Sequence, residues 1–218
     1  MKEYKNYIAE FLGTFGLVFI GGAAILVNSL TNGAVGLVGI AFAHGLVLMM
    51  MIYSLANISG AHFNPAVTIA MLINKRIDIK KAATYILSQL GGSLVAAFFL
   101  KILYPTATSA MLYGFPTTLQ MTFGIMVEAI LTFFLVFAIY GTALNKKAPS
   151  GFFGLVIGST IVLDILVGGT QTGAAMNPAR TFGPAVFGGF LNNQPIYWIG
   201  PIIGAVVASL LCEYLHKE

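Results

Sequence analysis

Six stretches of this chain, roughly 6–28, 34–57, 82–104, 119–143, 152–169 and 195–215, stay apolar for about the 20 residues that an α-helix needs to cross a bilayer. A segment in lipid must satisfy its own backbone N–H and C=O groups, so six such stretches in 218 residues dictate an all-α, polytopic membrane fold with almost no soluble part. Composition agrees, since only 8% of residues are charged and 58% are hydrophobic, too little polarity to cover a surface facing water. Mean hydropathy is +0.89. The first span follows Met1-Lys2-Glu3-Tyr4-Lys5 without a small-residue cleavage site, which reads as an anchor rather than a removed signal peptide. Cys212 is the single cysteine, so an internal disulfide is excluded.

Cations near span ends give the orientation, because Lys and Arg stay on the cytoplasmic side. Lys2 and Lys5 precede the first span, Lys75, Arg76, Lys80 and Lys81 separate the second and third, Lys146 and Lys147 the fourth and fifth, and Lys217 follows the sixth. Both termini are therefore expected in the cytoplasm, with the cell membrane as the expected location. Only Lys101 and Arg180 fall elsewhere, and a net charge of +4 needs no nucleic-acid partner to explain it.

Asn-Pro-Ala occurs twice, at Asn64-Pro65-Ala66 and at Asn177-Pro178-Ala179. Asn is a good N-cap and Pro is favoured at the first helical position, so each triplet predicts a helix start, here of a helix too short to span. The halves of the chain also match one another. Glu10-x-x-x-Thr14-Phe15-x-Leu17-Val18-Phe19 pairs with Glu128-x-x-x-Thr132-Phe133-x-Leu135-Val136-Phe137, and Tyr85, Gly92, Val95 and Ala96 pair with Tyr197, Gly204, Val207 and Ala208. Three spans per half make these inverted repeats, about 1–110 and 111–218, in a single membrane channel domain. The two half-helices are then expected to enter from opposite faces and meet near the midplane.

A capping Asn uses its side-chain oxygen on helix N–H groups, which leaves its NH2 as a donor into a pore. Asn64 and Asn177 would hold the oxygen of a passing water from two sides, turning its protons outward and breaking a proton wire. The two helix N-termini add positive potential that repels hydronium and other cations. Arg180 is a second candidate, because a charge at membrane depth is costly and usually functional.

These residues resemble the aquaporin, or major intrinsic protein, family over nearly the whole chain. Ser59-Gly60-Ala61-His62-Phe63-Asn64-Pro65-Ala66-Val67-Thr68 and Gly173-Ala174-Ala175-Met176-Asn177-Pro178-Ala179-Arg180-Thr181 are similar to its two signature loops. The resemblance implies a right-handed bundle of six transmembrane helices plus two half-helices, passive water conduction with exclusion of protons and ions, no enzyme activity, no cofactor or metal, and a homotetramer with one pore per subunit. It implies pore-lining backbone carbonyls at Gly60, Ala61 and His62 and at Gly173, Ala174 and Ala175. It makes Glu10 and Glu128 supports for the two loops, and places a selectivity filter at His44, Ile165, Ala174 and Arg180. That filter is similar to those of tonoplast-type and archaeal aquaporins, and a constriction lacking a bulky donor opposite Arg180 makes ammonia, urea and hydrogen peroxide plausible companions of water. Glycerol is the alternative solute. Against it, Thr181 follows the filter Arg where glycerol facilitators usually carry Asp, Tyr197-Trp198 and Ala185 fit the water branch, and Ala174 supplies no aromatic corner.

Asp164 departs from the pattern and is expected to bond a polar group near the filter, His44 or a loop amide, or to be protonated. The loop from Tyr104 to Thr118 carries no His or charge, so no extension of the filter is expected from it. A gradient-coupled transporter would also use inverted repeats and broken helices, but it needs ionisable groups along its path beyond Arg180 and His44. An intramembrane enzyme needs a nucleophile and base, which the isolated Cys212, three histidines and seven acids do not form.

Overall fold

The computed structural model describes residues 2–116 and 118–216. Of the lysines that set the orientation, Lys217 and the side chain of Lys2 lie outside the described residues. The described residues form helices α1 (Lys2–Leu30), α2 (Gly36–Ser59), α3 (Pro65–Ile73), α4 (Ile79–Leu103), α5 (Ser109–Tyr113), α6 (Met121–Thr142), α7 (Phe153–Gly168), α8 (Pro178–Gly188) and α9 (Gln194–Leu215), with one 3-10 turn, Leu191–Asn193. The order long, long, short, long thus occurs twice, as α1 to α4 and as α6 to α9.

Five of these helices are long and apolar enough to cross a membrane, and α7 is shorter, at 16 residues. Sixteen residues rise only about 24 Å. The missing depth is made up by a further turn, in which the N–H groups of Thr172 and Gly173 reach back to the carbonyls of Gly168 and Gly169 at 3.0 and 3.1 Å. The fifth apolar stretch is therefore a helix that runs on into the second signature loop.

Burial departs from that of a protein in water, because large apolar side chains are exposed around an interior that also holds buried polar groups. Leu87, Leu163 and Val167 are more than 60% exposed, whereas Glu10, Gln89 and Glu128 are fully buried. Apolar side chains lie on the face that lipid covers, and polar ones are confined to an interior where each must find a partner.

Helix contacts are close because small residues stand at the crossings. A Cβ on Gly92 of α4 would overlap the carbonyl oxygen of Phe11 in α1, and one on Gly204 of α9 would overlap that of Ala129 in α6. These are equivalent positions in the two halves, and they fasten the pairs α1/α4 and α6/α9, which pack most extensively. Gly45 and Gly158 do the same between α2 and α7, each pressed against the other's carbonyl oxygen. Around the axis that remains, Leu17, Leu48, Ile52, Leu135, Ile157 and Ile161 form a buried apolar wall.

Candidate functional site

Asn64 and Asn177 cap α3 and α8. The Asn64 side-chain oxygen accepts from the Ala66 N–H at 2.9 Å, and that of Asn177 accepts from Ala179 at 2.9 Å and Arg180 at 3.3 Å. Pro65 and Pro178 occupy the first helical position, where a missing N–H costs nothing. The amide nitrogens then cross over. Asn64 Nδ2 donates to the Met176 carbonyl at 2.8 Å, and Asn177 Nδ2 donates to the Phe63 carbonyl at 2.9 Å. This corrects the expectation of a wholly free NH2: one hydrogen of each amide ties the two loops together, and one is left over. The reciprocal pair fixes both side chains against rotation.

The loops leading to the caps have unusual backbone. Gly60, Ala61 and Phe63 in the first, and Gly173, Ala174 and Met176 in the second, have φ between 46° and 90°. For residues with a Cβ this left-handed region costs about 1–2 kcal/mol each. Buried carboxyl groups hold them there. Glu10 accepts from Ser59 Oγ (2.7 Å), the N–H groups of His62 (3.0 Å) and Phe63 (2.7 Å), and Gln89 Nε2 (2.8 Å). Glu128 accepts from Thr172 Oγ1 (2.6 Å) and the N–H groups of Ala175 (2.9 Å) and Met176 (2.6 Å). The hydroxyls of Tyr85 and Tyr197 donate to the carbonyls of Ser59 and Thr172, each at 2.7 Å. His62 Nδ1 pairs with Thr68 Oγ1 at 3.1 Å, and its ring packs edge-on against Tyr85. Ser59, Thr172, Tyr85, Tyr197 and Gln89 are supports that motif reading did not single out. Tyr85 and Tyr197 were visible only as a matched pair in the two halves.

A cavity of about 400 Å³ runs along the axis. It touches Ala143, Leu144 and Phe153 at one end, Gly60, Ala61, His62, Asn64 and Asn177 in its course, and His44, Ile165, Ala174 and Arg180 together. Ala175 also lines it, but Gly173 does not. The Gly173 carbonyl is instead taken by Arg180, whose Nη1 donates to Gly173 at 3.0 Å and to Ala174 at 2.8 Å. Arg180 Nη2 lies 3.0 Å from His44 Nε2, and His44 Nδ1 lies 2.8 Å from the Ile40 carbonyl. A carbonyl only accepts, so Nδ1 carries the proton and Nε2 accepts from Arg180. His44 is thus both a satisfied buried histidine and a wall of the cavity, and it offers no N–H of its own. Arg180 keeps two of its five N–H groups, on Nε and Nη2.

Two further residues complete this end. Phe115, from the loop after α5, lies with its ring centroid 5.0 Å from the Arg180 guanidinium carbon and 5.1 Å from the Tyr197 ring. The segment expected to contribute nothing to the filter therefore backs the Arg; an aromatic ring does this without charge, which is why a search for His or charge overlooked it. Gly21 of α1 faces the His44 ring so closely that a Cβ would overlap it. Asp164 is buried, but it does not bond His44 or a loop amide as expected, and its Oδ2 has no hydrogen-bond partner. It is also absent from the cavity wall. No group of three or more His, Cys, Asp or Glu able to hold a metal occurs among the described residues.

The family model described as major intrinsic protein matches residues 1–212. Aquaporin NIP1-1 of Zea mays is 37% identical over 205 residues, covering 94% of this chain and 72% of the relative. The probable aquaporin TIP3-2 of Arabidopsis thaliana is 41% identical over 223 residues, covering 95% and 82%. The X-ray structure of the aquaglyceroporin from Plasmodium falciparum superposes with a TM-score of 0.79 at 26% identity, covering 99% of this chain and 96% of that one.

Proposed function

The chain belongs to the major intrinsic protein family, an integral multi-pass membrane channel and not an enzyme, and from that premise we propose that it conducts water while excluding protons and ions. The observation that carries this reading is the crossed pair of asparagines. Each keeps one N–H beside the cavity, so a water accepting from both has its two protons directed away along the axis, and neither Asn can pass a proton on. The N-termini of α3 and α8 add their positive ends at the same place. Arg180 then acts as the cation barrier and as a donor to the solute oxygen, held by Gly173, Ala174, His44 and Phe115.

We further propose His44, Ile165, Ala174 and Arg180 as the selectivity filter and the carbonyls of Gly60, Ala61, His62 and Ala175 as the water-facing ladder, the Gly173 and Ala174 carbonyls being held by Arg180. His44 spends both ring nitrogens on Ile40 and Arg180, and Ile165 and Ala174 bring no donor, so the only N–H groups left to a solute at the filter side chains are those of Arg180. Such a filter admits ammonia, urea or hydrogen peroxide beside water. In this reading one domain, 1–218, is made of inverted repeats of about 1–110 and 111–218, both termini are cytoplasmic, the cell membrane is the location, and four copies assemble with one pore each.

The test is stopped-flow swelling of proteoliposomes with water, glycerol, urea and ammonia, on the wild type and His44→Phe/Ile165→His. Fast water flux with urea or ammonia entry that the double substitution abolishes supports the proposal. Fast water with no other solute refutes the broad filter. Glycerol entry comparable to water favours the second reading, a glycerol facilitator, to which the likeness to the Plasmodium aquaglyceroporin lends weight. Saturable flux coupled to an ion gradient would mean a transporter.

A further inference from the structure

The connection after α3 differs from the equivalent connection after α8 in one respect that the pore does not require. Residues 189–194 carry no charge, whereas residues 74–81 hold Lys75, Arg76, Asp78, Lys80 and Lys81. The first of these connections is also rigid. Lys75 takes a left-handed φ of 56°, the Lys75 N–H reaches the Leu72 carbonyl at 3.0 Å, and the Arg76 N–H reaches that of Met71 at 2.9 Å, a closed helix terminus. Asp78 caps α4 through the Lys81 N–H at 2.8 Å.

Its cations are held in place rather than trailing in solvent. Arg76 pairs with Glu213 of α9 at 2.6 Å and lies over the Tyr140 ring at 5.4 Å. The Lys81 ammonium sits 5.3 Å above the Tyr85 ring. Together with Lys75, these residues line an open groove of about 480 Å³ whose other walls are Leu72, Ile77 and Asp78. Lys80 is exposed beside it, and neither Lys75, Lys80 nor Lys81 has an ion-pair partner among the described residues. The groove therefore has four cations around it against the carboxylates of Asp78 and Glu213, the latter already engaged by Arg76.

Depth places this groove at the membrane surface. α3 starts at the crossed asparagines and has nine residues, so it climbs about 14 Å. Half the hydrocarbon thickness of a bilayer is about 15 Å. The cations thus stand at headgroup level, and the residues that flank them, Ile73 and Ile79, are 44% and 75% exposed, aliphatic side chains directed to the outside beside a charged groove. Cations at headgroup height next to exposed aliphatics match a phosphodiester with acyl chains better than a free anion.

We propose that the α3–α4 connection is a binding site for the headgroup of an anionic phospholipid, with Lys75 and Lys81 as phosphate ligands and Ile73 and Ile79 against the acyl chains. Arg76, engaged by Glu213, fixes the floor. A lipid seated there ties the end of one half-helix to α4 and α9. Positive charge that only orients the chain in the membrane would give no saturable site, which separates the two explanations.

The full chain in neutral detergent is titrated with dioleoyl phosphatidylglycerol, dioleoyl phosphatidylcholine or inorganic phosphate, reading melting temperature and retained lipid by native mass spectrometry. Phosphatidylglycerol is expected to raise the melting temperature saturably and to remain bound, the other two not. Lys75→Gln/Lys81→Gln should weaken that binding roughly thirtyfold. Lys146→Gln/Lys147→Gln, an equal change of net charge at another exposed connection, should leave it unchanged. Ile79→Glu, at an exposed position away from the cavity, should also weaken it, which covers the case of a poorly folded lysine variant. Equal shifts with the two lipids, equal loss in both lysine variants, or a phosphate effect matching the lipid's would each overturn the proposal.

Discussion

Removing the Glu128 carboxyl should collapse the second signature loop without touching a pore-lining side chain. In Glu128→Ala the N–H groups of Ala175 and Met176 and the Thr172 hydroxyl lose their acceptor in a region that water reaches only through the cavity. Two buried backbone donors left unpaired cost about 1–3 kcal/mol each, hence roughly 2–6 kcal/mol for the backbone alone. The left-handed turns at Ala174 and Met176, which those bonds enforce, add about 1–2 kcal/mol each to the drive to relax. At about 2–4 °C per kcal/mol for a chain of this size, the melting temperature should fall by at least about 4 °C. The Ala174 carbonyl that anchors Arg180 moves with the loop, so water permeability in proteoliposomes should drop at least tenfold at matched protein density. Glu10→Ala should behave alike, since Glu10 accepts from His62 and Phe63 in the first loop. A double-mutant cycle of Glu128→Ala with Thr172→Val should show coupling, because both changes break one network. An unchanged melting temperature together with unchanged permeability in Glu128→Ala would refute the argument that these carboxyls hold the loops.

Other substitutions probe separate contacts. Gly21→Ala inserts a methyl group where the His44 ring lies; the ring is held at both nitrogens, so it should shift into the cavity and lower water permeability severalfold, as read by stopped flow, with α1 still packed. Gly204→Ala meets backbone rather than a movable side chain and should cost about 1–3 kcal/mol by separating α6 from α9, seen as a lower melting temperature. Phe115→Ala removes the ring behind Arg180 while the anchors at Gly173 and Ala174 remain, so water flux should persist and urea entry should rise. A fall in water flux as large as that from Arg180→Ala would contradict this division of roles.

The span boundaries were legible because a bilayer imposes one length and one polarity on every crossing segment; the six apolar stretches and the corresponding helices agree to within three residues at each end except at the start of α1. The half-helix starts were legible because Asn-Pro-Ala states its own capping chemistry. What could not be read was contact between distant residues. Nothing local announces that Gly21 makes room for His44, that an uncharged Phe115 stacks on Arg180, or that each Asn amide reaches across to the opposite loop. Asp164 is a departure that its neighbours in sequence do not explain: a helix turns about 100° per residue, and although Asp164 adjoins Ile165 it is absent from the cavity wall that Ile165 forms.

The matched halves offer a way to separate what builds the channel from what tunes it. Bonds that recur at equivalent positions, Glu10 and Glu128 on the loops, Tyr85 and Tyr197 on the carbonyls before them, Gly92 and Gly204 at the helix crossings, serve the architecture common to both halves. Lack of a counterpart is not enough by itself, since Gln89, where the second half has Pro201, still holds Glu10; the unmatched residues that stand apart are those gathered at the cavity. Arg180 stands where the first half has Val67, His44 where the second has Val162, and Gly21 where it has Ile139. Arg180, His44 and Gly21 lie together at one end of the cavity, joined by Phe115 from a segment outside the repeated order. The lysines of the α3–α4 connection form another unmatched group. On this logic, a substitution at a matched position should lower stability and the flux of every solute together, whereas one at Arg180, His44, Phe115 or the α3–α4 lysines should change which solute passes, or which lipid binds, at nearly constant stability.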